Sequence, residues 1–137
     1  MKNEYLFKIG VVGSAVSWFF SLMGVPKKVL LGCMILDFVT GLIVAGYFKN
    51  SPKTDTGSLS SKIGYKGLCK KGLILCFVLV GVMLDSLLNV DYISNGVCFA
   101  FIVNEIISMT ENATLMGIGI PTVITNALDI IKSKENK

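Results

Sequence analysis

Asp37, Asp85 and Glu105 are carboxylates set inside, or at the ends of, apolar stretches long enough to cross a bilayer. A carboxylate at hydrocarbon depth is expensive, so it takes up a proton, pairs with a cation or meets water. No lysine stands at matching depth in the sequence, so pairing within the chain is not expected to neutralise all three. Protonation or water then remains, and four helices of one small chain enclose little water. A ring of copies encloses more. Asp37, Asn104 and Glu105 are therefore expected to face the inside of a homo-oligomeric pore, with Asp85 closer to the far boundary. The competing reading of the same residues is interhelical hydrogen bonding that holds the bundle together.

Other chemistries find no residues to carry them. Histidine is absent, which removes imidazole metal sites and histidine-based triads. Cys33, Cys69, Cys76 and Cys98 form no C-x-x-C pair and read as small hydrophobes rather than ligands. Asp37-x-x-Thr40-Gly41 has the look of a catalytic aspartate motif but lies within an apolar helix. No enzyme, metal or cofactor is expected. All 13 basic residues are lysine, which argues against a nucleic-acid reader, since that task favours the guanidinium fork.

The elements that position these residues follow from charge segregation. Of the 137 residues, 53% are hydrophobic and 16% charged. An average soluble domain is roughly 25% charged, so helices here lack the polar faces a soluble core needs. The expected fold is an all-α integral membrane protein: four transmembrane or membrane-embedded helices plus a C-terminal amphipathic helix. Residues 1–28 hold the first membrane helix and a basic turn, with Pro26 ending the helix. Gly13, Ser17 and Ser21 recur every fourth residue there, a smooth face for helix packing. Residues 29–48 form the clearest span, with Gly41 and Ala45 as a second small face beside Asp37.

Residues 49–71 are a lysine-rich cytoplasmic connection in which Lys62, Lys66, Lys70 and Lys71 suit an anionic leaflet. A short surface helix is expected there. Residues 72–109 supply the third and fourth spans. Residues 110–137 form the amphipathic C-terminal region, with a helix starting near Pro121.

Lysine counts set the topology. Lys2 and Lys8, six lysines from Lys49 to Lys71 and three after residue 110 make eleven on one side. Only Lys27 and Lys28 fall on the other, so both termini are expected in the cytoplasm. The chain is then a multi-pass protein of the cytoplasmic membrane. Physics alone leaves two functions open: a wide oligomeric pore, or a small oligomeric ion channel or accessory subunit of an export system.

Four stretches carry a family resemblance. They are Asp37-x-x-Thr40-Gly41, then Ser60-Ser61-Lys62-x-Gly64-x-Lys66-Gly67-x-x-Lys70-Lys71, then Asn104-Glu105-x-x-Ser108-x-x-Glu111-Asn112, and Gly119-Ile120-Pro121. Taken in order, the chain resembles the toxin-secretion/phage-lysis holin family, which includes holins of Gram-positive phages and of clostridial large-toxin loci. The resemblance implies a pore former that assembles in the cytoplasmic membrane, through which an endolysin or large protein toxin leaves the cell. It also implies that Glu111 and Asn112 help organise a helix turn leading to Pro121.

Overall fold

A computed structural model describes the chain over residues 1–135, so the end of the expected 110–137 region lies outside the described residues. Five α-helices follow one another: α1 (Lys2–Leu22), α2 (Val25–Gly46), α3 (Ser61–Leu88), α4 (Ile93–Leu115) and α5 (Thr122–Glu135). No strand occurs among the described residues. Helices α2, α3 and α4 are each long and apolar enough to cross a membrane. At about 1.5 Å per residue, their 22, 28 and 23 residues rise about 33, 42 and 34 Å, against a hydrocarbon core of about 30 Å. The chain is a multi-span helical membrane protein.

Helix α4 is the centre of the bundle and packs closely on both α2 and α3, with a lighter contact to α5. Leu30 and Met34 of α2, Val78 of α3 and Cys98 of α4 form the buried core, with Ile74, Phe101 and Ile102 packed around it. The outward faces stay apolar: Leu73, Leu79, Met83 and Leu87 of α3 are all exposed, as a helix bathed in hydrocarbon requires.

Several expected boundaries move. Pro26 does not end the first helix; it sits in the first turn of α2, where its missing N–H is no loss, and so draws Lys27 and Lys28 into that helix. The lysine-rich connection is not a separate surface helix. Its second half, from Ser61, runs unbroken into the third span, because nothing between Lys62 and Leu88 stops a helix. Lys62, Lys66 and Lys70 are exposed along this extension.

The true loop is residues 47–60. It closes through Ser51 N–H donating to Gly57 O at 3.0 Å and Gly57 N–H donating to Thr54 O at 3.2 Å. Gly57 has φ +71°, and a Cβ there would lie 2.2 Å from the Lys49 carbonyl oxygen, so only glycine fits this turn.

Helix α4 also runs six residues past the expected end at Met109, to Leu115. Glu111 and Asn112 therefore belong to a helix and not to a turn. The reversal that follows uses Gly117 in a left-handed conformation (φ +77°). Pro121 then accepts from the N–H groups of Ile124 and Thr125 at the start of α5, where the sequence predicts that helix to begin.

Candidate functional site

Two polar clusters tie the three long helices together, one near the middle of α2 and α4 and the other at the α3–α4 turn. The first brings together residues from three distant parts of the chain. Asp37 lies midway along α2, Lys71 in α3 and Glu105 in α4. The Lys71 ammonium donates to Asp37 Oδ2 at 2.8 Å and to Glu105 Oε2 at 2.5 Å. All three side chains are largely shielded, at 14%, 13% and 8% exposed, so the pairs hold charge away from solvent rather than decorating a surface.

One ammonium faces two carboxylates, and neutral donors support the excess negative charge. Asn112 Nδ2 donates to Asp37 Oδ1 at 3.3 Å and to Thr40 Oγ1 at 3.0 Å. Thr40 in turn donates to the Asp37 backbone carbonyl at 3.0 Å. Asp37 and Thr40 are three residues apart, so one turn of α2 presents both to Asn112. Gly41 faces that amide: a Cβ there would be in ordinary van der Waals contact with Asn112 Nδ2, at 3.8 Å. Among the described residues, no buried side-chain nitrogen or oxygen lacks a partner.

Beside this cluster a cavity of about 460 Å³ opens under the 47–60 loop. Asp37, Lys71, Glu111 and Asn112 line it on the bundle side, and Ser51, Lys53 and Thr54 on the loop side. Asn50 Nδ2 fastens the loop to the end of α4 by donating to Leu115 O at 3.2 Å.

The second cluster stands at the α3–α4 turn. Helix α4 begins at Ile93 without a side-chain cap from its own preceding residue, Tyr92. Asp85 supplies that cap from across the turn, accepting from Ile93 N–H at 2.8 Å and Ser94 N–H at 2.9 Å. A carboxylate at a helix N-terminus satisfies two otherwise orphaned donors and meets the positive end of the helix dipole. Lys27 Nζ reaches the same place, donating to Ser94 Oγ at 3.1 Å. One member of the Lys27-Lys28 pair is thus held by this second cluster.

The premise that no cation stands at the depth of Asp37 and Glu105 is overturned. Lys71, expected at the membrane surface together with Lys62, Lys66 and Lys70, differs from those exposed lysines: it falls on the inward side of α3 and meets both acids. Sequence distance hid the pairing, since 34 residues separate Lys71 from either acid. The remaining expected residues are scattered by comparison. Asn104 is exposed on α4, and Gly13, Ser17 and Ser21 are exposed on α1. Gly41 and Ala45 turn toward α4 of the same chain, with Ala45 buried. Asn112, Thr40 and Ser94 were not expected as bonding partners; for the first two, the short polar spacings Asp37-x-x-Thr40 and Glu111-Asn112 were the available signal.

A bundle with an ion-paired interior, an apolar exterior and three membrane-length helices defines a multi-span membrane protein. The sequence profile of the bacteriophage holin family matches residues 14–133, and the chain belongs to that family. It is 37% identical to an uncharacterized protein of Clostridium perfringens over 138 residues, 94% of this chain and 93% of the relative. An uncharacterized protein of Listeria innocua is 33% identical, with 96% of this chain and 90% of the relative covered. The probable holin of Bacillus phage phi105 is 31% identical over 104 residues, 75% of this chain and 71% of that protein. No solved structure matches the chain. Family and fold together give a membrane-embedded, holin-like role without enzymatic chemistry.

Proposed function

We propose that the chain accumulates in the cytoplasmic membrane and assembles with copies of itself into lesions that let a cell-wall hydrolase or a large protein toxin leave the cell. The observation that carries this reading is the match to the bacteriophage holin family over residues 14–133, on a chain with three membrane-length helices. The filled interior supports the need for several copies. Lys71, Asp37, Glu105 and Asn112 occupy the centre of the bundle, and their contacts close the space between the three helices at that level.

In this reading α1 is a fourth span, both termini are cytoplasmic, and the exposed Lys62, Lys66 and Lys70 stand against anionic lipid on that side. Asp37, Glu105 and Asp85 act first as fasteners between helices. Asp37 and Glu105 line a pore only when the helices part and Lys71 is displaced.

The test is release from anionic liposomes loaded with a small dye and a protein-sized marker, normalised to inserted protein. Both contents are expected to escape. Asp37→Ala and Glu105→Gln are expected to lower release per inserted molecule more than they lower insertion. Escape of dye with retention of the large marker overturns the reading in favour of a narrow channel.

A further inference from the structure

Asn104 stands at the midpoint of α4, eleven residues from Ile93 and eleven from Leu115. At about 1.5 Å per residue it is about 16 Å from either end of the helix, which is the bilayer midplane when α4 spans. Its side chain is exposed, and among the described residues no hydrogen bond reaches it. The other two asparagines of α4 are both engaged: Asn95 donates to Asp91 O at 2.8 Å, and Asn112 holds Asp37 and Thr40. Lipid tails offer nothing to a carboxamide, so Asn104 needs a partner that the chain itself does not supply.

The surface around Asn104 states what kind of partner fits. Gly96 and Ala100 precede it at intervals of four and are exposed on the same face. A Cβ added at Gly96 would meet nothing within 4 Å, so a second helix can approach closely there. A carboxamide is donor and acceptor at once, so two copies related by a two-fold axis satisfy each other without any third group. Glu111, further along this face, lies within about one turn of the helix end, where water screens it from its counterpart.

We propose that the α4 face centred on Asn104 is the contact between two copies of this chain in the membrane, closed by reciprocal carboxamide hydrogen bonds over a groove formed by Gly96 and Ala100. The proposal rests on the homo-oligomeric reading above and gives it a specific surface. Asn104 is then an interface residue and not a lining one.

Fluorescence energy transfer between labelled copies in liposomes of phosphatidylglycerol and phosphatidylethanolamine tests it. Asn104→Leu is expected to weaken association about fivefold or more, and Asn104→Gln to retain more of it than Asn104→Leu. Because Asn104 makes no bond within the chain, helicity is expected to stay unchanged in both. As a second measurement, Cys33, Cys69 and Cys76 are replaced by alanine with buried Cys98 kept, and single cysteines are added. Ala100→Cys is expected to give a disulfide-linked dimer under oxidation, and Phe99→Cys, exposed on another side of α4, is not. Equal association of Asn104→Leu and the unsubstituted chain overturns the proposal, as does stronger linkage from Phe99→Cys. So does lost dye release with intact association, which would make Asn104 a lining residue. Absence of energy transfer by the unsubstituted chain at any lipid ratio overturns the homo-oligomeric reading itself, a separate result.

Discussion

Lys71 Nζ lies 2.8 Å from Asp37 Oδ2, joining α3 to α2 across 34 residues of sequence, and the same ammonium reaches Glu105 on α4. One side chain thereby holds the three membrane-length helices at a single level. Stretches that carry the family resemblance and are separate in sequence meet there: Asp37-x-x-Thr40-Gly41, the last lysine of the basic run, and the Glu105 to Asn112 stretch of α4.

Removing that ammonium is expected to be the most damaging single change. Lys71→Met leaves two shielded carboxylates uncompensated, a loss of about 3–5 kcal/mol for a broken buried pair. Adding Asp37→Asn and Glu105→Gln to the same chain is expected to recover most of it, since no charge then remains to be neutralised. Resistance to unfolding by sodium dodecyl sulfate, with exposed Lys62→Met as the comparison, measures both. Equal resistance of Lys71→Met and Lys62→Met would show that the cluster holds nothing.

At the α3–α4 turn, Asp85→Ala is expected to fray the first turn of α4 by removing the acceptor for the Ile93 and Ser94 amides. The cost of losing such a cap is about 1–2 kcal/mol. Amide hydrogen exchange at Ile93 and Ser94 should accelerate about tenfold or more, while exchange near Val103 stays slow. Uniform acceleration along α4 would mean a wider role for Asp85.

Gly81 of α3 packs directly against the backbone of Ser94 in α4. A Cβ there would lie 2.9 Å from Ser94 Cα and 3.3 Å from Ser94 N, both backbone atoms that cannot swing aside. Gly81→Ala is expected to push the helices apart at this level and destabilise by about 1–3 kcal/mol. Gly64→Ala, where nothing lies within 4 Å, is expected to be neutral or slightly stabilising through better helix propensity. Thermal unfolding in detergent would separate the two, and equal midpoints would refute the packing argument.

Cys69 is exposed on the lysine-bearing extension of α3 and reports its side of the membrane. With Cys33, Cys76 and Cys98 changed to alanine, an impermeant maleimide is expected to label Cys69 in inside-out vesicles and not in intact cells. Labelling from outside would reverse the orientation inferred from lysine counts.

The segregation of charge was enough to read an all-α multi-span membrane protein, the span carrying Asp37, and a last helix beginning near Pro121, because hydrocarbon imposes length and polarity on any helix that crosses it. Those constraints act residue by residue along the chain. Helix ends were less legible: proline suits a first turn as well as it suits a stop, so Pro26 and the extent of α3 and α4 depended on what followed. Which carboxylate meets which cation was decided only by tertiary structure. Lys62, Lys66 and Lys70 carry the same ammonium as Lys71 but differ from it in level and direction on α3, and those differences have meaning only once α2 and α4 stand beside it. Burial and pairing belong to the packed bundle, since the energy of an ion pair depends on distance and surroundings that no linear spacing specifies.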